Sequence, residues 1–198
     1  MVPRGPIESR LAAARLTNVD LVESDAESLS LDAHSFDAVL CRWGLMFMPD
    51  LDGVVRAMHL ALKPGGRFAT AVWSVADKVP MCGLARDAIR RITGIVPPPN
   101  APDPIKLADT SILERALAGA GFRDVTIERQ IVTFEFPSAD AFADFRAQIG
   151  GTRTMLSKMP AEVARQVRDA VVTSAQKYAV DGGVVRLSNE TICFGARA

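Results

Sequence analysis

Ser35-Phe36-Asp37-Ala38-Val39-Leu40-Cys41-Arg42-Trp43 is almost continuously apolar once Asp37 is passed. A run of that kind suits a strand covered on both faces, as in a parallel sheet, better than one with a wet face. Pro49-Asp50 then opens a helix, in which Leu51, Val54, Val55, Met58 and Leu62 fall on one stripe. Lys63-Pro64-Gly65-Gly66 stops it with a cationic last turn, a proline and two glycines. Arg67 to Trp73 reads as the next buried strand. Strand, helix, glycine turn and strand in that order form a βαβ unit, and with it an α/β fold.

Outward from this unit the pattern continues in both directions. Ile7 to Leu16 reads as the tail of a helix, Val19–Glu23 as a short strand and Ser24–Glu27 as a turn. Downstream, Leu84–Ile92 reads as a short helix, and Pro97-Pro98-Pro99 with Pro102 and Pro104 as a stiff connector. Ser111-Ile112-Leu113-Glu114 has the form of a capping box, and Gly121 ends the helix it starts. Val125 and Ile127 share one strand face while Val132, Phe134 and Phe136 share the other. That change of phase predicts a bulge near Arg129–Ile131 or two separate strands. Helices are expected over Ser138–Ile149 and Pro160–Tyr178, the second with Val163, Val167, Ala170, Val171 and Tyr178 inward. Asp181-Gly182-Gly183 turns the chain into a last strand pair or ribbon, Val184–Phe194.

Composition narrows the function. The 198 residues carry 23 Lys+Arg and 23 Asp+Glu, so the electrostatic footprint of sequence-independent nucleic-acid binding is missing. The longest apolar stretches, such as Phe68–Trp73, fall far short of the ~20 residues that span a bilayer. Cys41, Cys82 and Cys193 are odd in number and widely spaced, which argues against a disulfide framework and against a zinc site. No signal-peptide core is present at the start, and a cytoplasmic protein is expected.

Few residues announce chemistry on their own. Asp25 and Glu27 are carboxylates in a turn, where solvation is the ordinary state. His34 reads as an exposed, idle imidazole and His59 as solvent-facing. Gly150-Gly151-Thr152-Arg153 either cradles an anion or punctuates helices. Phe142, Phe145, Met155 and Met159 read as core rather than pocket. Walker A, GxGxxG, GxSxG and HExxH patterns do not occur.

The order of segments says more. Asn18–Leu29, Ser35–Asp50 and Leu60–Arg67, with Gly121–Val125 and Thr191–Arg197 behind them, resemble the class I S-adenosylmethionine-dependent methyltransferases. The likeness is to their quinone-biosynthesis and small-molecule branch, and it covers about residues 16–76 and 107–136. It implies a Rossmann-like sheet with flanking helices in one domain, 1–198, made of a core 7–136, a lid-like helical insertion 137–183 and a terminal strand 184–198. It also implies a shortened start. In that family two βα units, bearing a glycine-rich loop and a ribose-binding acid, precede the adenine-site strand. Each needs about 30 residues, more than the sequence ahead of Asn18 provides.

By the same resemblance the cofactor is S-adenosylmethionine. Asp25 would accept from the adenine amino group and the Ala26 amide would donate to the ring. Arg42 and Trp43 would line the floor beside the sulfonium and the acceptor. The implied reaction is in-line methyl transfer to a small, apolar organic acceptor, in which a dedicated base is optional; the Cys and His spacing points to no metal. A non-catalytic Rossmann-like binding or dimerisation module is the alternative. An open edge on strand 36–41 would let the chain form a homodimer.

Overall fold

A computed structural model describes residues 4–96 and 101–198. Most of the Pro97–Pro99 connector argument therefore lies outside the described residues. Where the sequence reading takes 1–198 as one domain, the chain groups into two compact units, Met1–Ser30 and Leu31–Ala198.

In the first unit helix α1 spans Arg4–Ala13 and ends in a turn in which Arg15 takes a φ of 53°. The expected strand Val19–Glu23 is not formed. A strand exists by its ladder, and no neighbouring strand is found among the described residues of this unit; Val22 is 71% exposed.

The second unit is a four-stranded sheet in the order β1-β2-β4-β3. Strand β1 (Phe36–Arg42) runs parallel to β2 (Leu62–Trp73), and helix α2 (Leu51–Ala61) connects them. The sequence pattern located this unit well. Asp50 caps α2, its Oδ1 accepting from the Gly53 amide at 2.8 Å, and Leu51, Val54, Val55 and Leu62 are buried. The glycine turn differs in one respect: it belongs to β2. Leu62 already pairs with Phe36, and the register shifts before Arg67. This irregular segment is pinned to the C-terminus, with Gly65 N donating to Ala198 O at 2.9 Å and Ala198 N donating to Gly66 O at 3.0 Å.

Strand β4 (Val185–Arg197) enters between β2 and β3 (Arg123–Phe136), antiparallel to both. It is one continuous strand within the expected terminal segment 184–198; of the strand pair or ribbon read over Val184–Phe194, a single strand is formed. The bulge expected near Arg129–Ile131 is also corrected: register is unbroken from Thr126 to Phe136, and the shift lies between Arg123 and Thr126, where Asp124 has a φ of 53°. The change of apolar phase has another cause. Phe134 and Phe136 pack on the core from one face, where Val132 is half-buried, while Val125, Ile127 and Ile131 remain exposed on the other.

Helices cover both faces. Leu113 and Leu117 of α4 (Thr110–Ala120) are buried beside α2, and Phe68 of β2 meets Phe122 at 5.0 Å on that side. Helix α3 (Pro80–Thr93) packs against β4, α5 (Ala139–Ala147) against β3, and α7 (Ala161–Ala175) against both α3 and α5. The cap of α4 is Asp109 rather than Ser111: the Asp109 carboxylate accepts from Ser111 N at 3.1 Å, and the Ser111 hydroxyl instead accepts from Arg115. Gly121 ends α4 at a φ of 95°, as its position predicts. Helix α3 begins at Pro80, earlier than expected, because Asn189 of β4 accepts from Met81 N at 2.8 Å and so satisfies a first-turn donor. Tyr178 falls in a 3-10 turn beyond α7 and is exposed, not inward. Helix α6 (Gly150–Leu156) was not expected from the sequence.

The strand expected to be covered on both faces is the sheet's edge. Within this unit, among the described residues, β1 pairs with β2 alone, and Leu40 is 77% exposed.

Candidate active site at the carboxyl ends of β1 and β2

Parallel strands end together, and open α/β sheets bind ligands at those ends. Here β1 gives way to Trp43, whose amide makes the last ladder bond, donating to Ala71 O at 2.8 Å. Trp43 then turns with a φ of 55°. For a bulky non-glycine residue that is an unfavourable backbone, costing on the order of 1–2 kcal/mol, and surrounding contacts must hold it.

Those contacts are present. The Trp43 indole stacks on Trp73 at 4.2 Å with planes 15° apart, and Phe134 tilts against it at 5.9 Å. Its Nε1 donates to Thr191 Oγ1 at 3.2 Å, and the Thr191 hydroxyl donates to Val72 O at 2.8 Å. Four segments far apart in the chain therefore fix one ring. At the following Gly44 a Cβ would lie 2.8 Å from Cys41 Sγ, so a larger residue there would require the thiol to shift. Burial pushes the Cys41 thiol up, so it stays protonated beneath this turn.

Arg42 is brought to Trp43, with its guanidinium carbon 4.9 Å from the ring centre. The indole thus has both the Trp73 ring and the Arg42 guanidinium against it. It shapes the turn at the end of β1.

Beyond Trp73 lies a polar cluster that sequence reasoning missed. Glu190 accepts from Ser74 Oγ at 2.6 Å, Arg129 Nη1 at 2.8 Å and Lys78 Nζ at 3.2 Å. These donors, Ser74 first, hold its carboxyl down to about 2, so Glu190 is a fixed anion and a poor proton acceptor. Its members come from β3, β4 and the segment just after β2, and only the fold unites them.

Asp25 and Ala26 belong to the first unit. Asp25 Oδ1 accepts from Glu27 N at 2.9 Å and its carbonyl accepts from Ser28 N at 3.1 Å, a local Asx turn. Ala26 is half-buried within it. A carboxylate has further acceptor capacity beyond that one bond. Neither histidine is idle. His34 Nδ1 donates to Leu62 O at 2.9 Å, and His59 sits edge-on to Phe122 at 4.8 Å. Among the described residues no group of three His, Cys, Asp or Glu could hold a metal ion, and no helix is long and apolar enough to cross a membrane.

Comparison with known proteins sharpens the assignment. Residues 6–70 match the methyltransferase domain family. A ubiquinone/menaquinone biosynthesis C-methyltransferase of Rhodopseudomonas palustris is 41% identical over 59 residues, 30% of this chain and 23% of that protein. A demethylmenaquinone methyltransferase of Staphylococcus epidermidis is 45% identical over 53 residues, 27% of this chain and 22% of that protein. The match thus spans under a quarter of either relative. In fold, the YcgJ protein of Bacillus subtilis aligns over 96% of this chain and 75% of its own, with a TM-score of 0.57 and 16% identity. A phosphoethanolamine N-methyltransferase of Haemonchus contortus, solved with S-adenosyl-L-methionine, aligns over 96% of this chain and 39% of its own, with a TM-score of 0.51 and 18% identity. Over residues 6–70 the chain is similar to the methyltransferase domain family, and its sheet and helical layers share the fold of these solved structures.

Proposed function

We propose that the chain takes part in methyl transfer from S-adenosylmethionine to a small, apolar organic acceptor, at the carboxyl ends of β1 and β2. The observation that carries this reading is the strained Trp43 turn at the end of β1, inside the segment that matches the methyltransferase family. Strain of that kind persists where a site requires it. The family match favours a transferase over a non-catalytic binding module.

The residues fit the adenine end of the cofactor chemically. Adenine's edge needs an acceptor beside a donor, and the Asp25 carboxylate followed by the Ala26 amide supplies that pair. Arg42 and Trp43 would shape the floor next to acceptor and sulfonium. The cofactor, when bound, supplies a methyl group already activated on sulfur. What remains for the protein is alignment and exclusion of water, and proximity alone can contribute about 7–11 kcal/mol. A fixed Glu190 and a protonated Cys41 are consistent with a site that positions rather than moves protons.

Because the matched relatives act in quinone biosynthesis, an electron-rich ring is the acceptor class to try first. The open edge of β1 further supports pairing with a second copy as a two-fold dimer. Calorimetry with S-adenosylmethionine tests the cofactor reading. Asp25→Ala is expected to weaken binding at least tenfold, and equal affinity in both chains would remove Asp25 from the site.

A further inference from the structure

Helix α5 carries Asp140, Asp144 and Arg146. Both carboxylates reach to Arg168 on α7, at 2.9 Å from Asp140 and 2.7 Å from Asp144. These bonds tie α5 to α7 and leave Arg146 with no carboxylate partner among the described residues. Its Nη2 donates to Thr152 Oγ1 of α6 at 3.1 Å, while its Nε is buried with no partner at all.

Arg146 is also felt across the gap to α3. Burial raises the Cys82 thiol, and the charges of Arg146 and then Arg86 pull it back, with Asp103 opposing. Asp103 is engaged locally, its Oδ1 accepting from Ile105 N at 3.0 Å. Arg86 has a contact of 3.6 Å to its neighbour Asp87. The corner therefore gathers two guanidiniums, a hydroxyl and a thiol, and neither Asp87 nor Asp103 is bonded to Arg146. Burial holds the Arg146 guanidinium below its ordinary value.

A desolvated guanidinium without a counter-ion is costly, and one hydroxyl returns only part of its lost hydration. Removing such a group and its charge is ordinarily neutral or stabilising, so its presence calls for a role outside the fold's own contacts. A guanidinium presents its donors as a planar fork that matches a carboxylate or a phosphate. We propose that the corner formed by Arg146, Thr152 and Cys82, between α3, α5 and α6, is a binding site for the oxyanion group of a small ligand. It uses none of the residues assigned to the cofactor, so it stands or falls independently of the methyl-transfer reading.

Thermal unfolding of the whole chain in chloride, in phosphate and in benzoate at matched ionic strength provides the test. At saturation, phosphate or benzoate is expected to raise the melting temperature by about 5 °C over chloride, and whichever does so identifies the source of the oxyanion. Arg146→Gln is expected to abolish that rise and, in chloride, to unfold at or above the temperature of the wild-type chain. An equal rise in both chains, no rise with either anion, or a lower melting temperature of Arg146→Gln in chloride would overturn the site. A second measurement needs no variant. The effective anion should slow alkylation of Cys82 by iodoacetamide at least threefold while leaving Cys41 and Cys193 unchanged, and unchanged alkylation of Cys82 counts against the proposal.

Discussion

The sheet has two edges, and they are built in opposite ways. Strand β3 is 14 residues long and bonded to β4 in antiparallel register along nearly all of it. Its exposed side is studded with charge, and Glu135 pairs with Arg186 at 2.7 Å while Arg129 pairs with Glu190 at 2.8 Å. Charged side chains discourage a further strand from adding to an edge. Strand β1 has 7 residues, and its one ion pair here joins Asp37 to Lys63 of its own neighbour at 2.8 Å. It leaves Leu40 open and ends on a strained tryptophan. The long edge carries charged pairs beside its exposed Val125, Ile127 and Ile131; the short one is held by contacts from across the chain and carries the candidate site.

Substitutions at the two edges should therefore differ sharply. Trp43→Ala removes the stack on Trp73 and the bond to Thr191 while leaving a backbone that alanine also dislikes. A loss of about 3 kcal/mol in denaturant unfolding is expected, against less than about 0.5 kcal/mol for Ile131→Ala on β3. Similar costs at the two positions would erase the contrast.

Behind β3, fully buried Asn189 joins β4 to the start of α3. Asn189→Ala strands the Met81 amide and should cost about 2 kcal/mol, with hydrogen exchange speeding first in the opening turn of α3. Uniform exchange across the unit would show that α3 does not depend on this bond.

Glu190 gives a smaller effect with a definite sign. Its bonds favour the ionised form and lower its carboxyl from an ordinary 4.5 to about 2 in the fold. The stability it contributes is thus complete above about pH 4.5 and lost as the pH falls toward 2. Glu190→Gln should flatten that part of the acid-unfolding profile, and a profile as steep as that of the unaltered chain would place the acid sensitivity elsewhere.

The smallest change in stability is expected for Leu40→Lys, less than about 0.5 kcal/mol, since the residue is 77% exposed. Its consequence should appear instead in sedimentation. The wild-type chain is expected to sediment as a dimer and Leu40→Lys as a monomer, with Ile131→Lys remaining dimeric. A monomeric wild-type chain would dispose of the edge pairing.

How much of this was legible beforehand depended on the range of the contacts. The βαβ unit around residues 36–73 could be read because its signals are local: a stripe on α2, Asp50 at its start, and glycines after its end. Val19–Glu23 misled because local β-propensity has no force without a partner strand. The phase change in β3 misled because alternation cannot say which face is covered. Of the site, Arg42 and Trp43 could be named only through their place after a strand; their stacking, and the positive φ of Trp43, could not.

Periodicity and terminating residues by themselves determined that this is an α/β chain and where its principal strands and helices lie. Those features arise within a few turns of backbone and are written in neighbouring residues. Only the tertiary structure decided that β4 enters between β2 and β3, that β1 is an edge, and that Trp43, Trp73, Phe134 and Thr191 meet. It alone turned Asp140 and Asp144 toward Arg168 and left Arg146 unpaired. Such pairings join residues many positions apart, and their stability comes from burial and desolvation that no short stretch of sequence can encode.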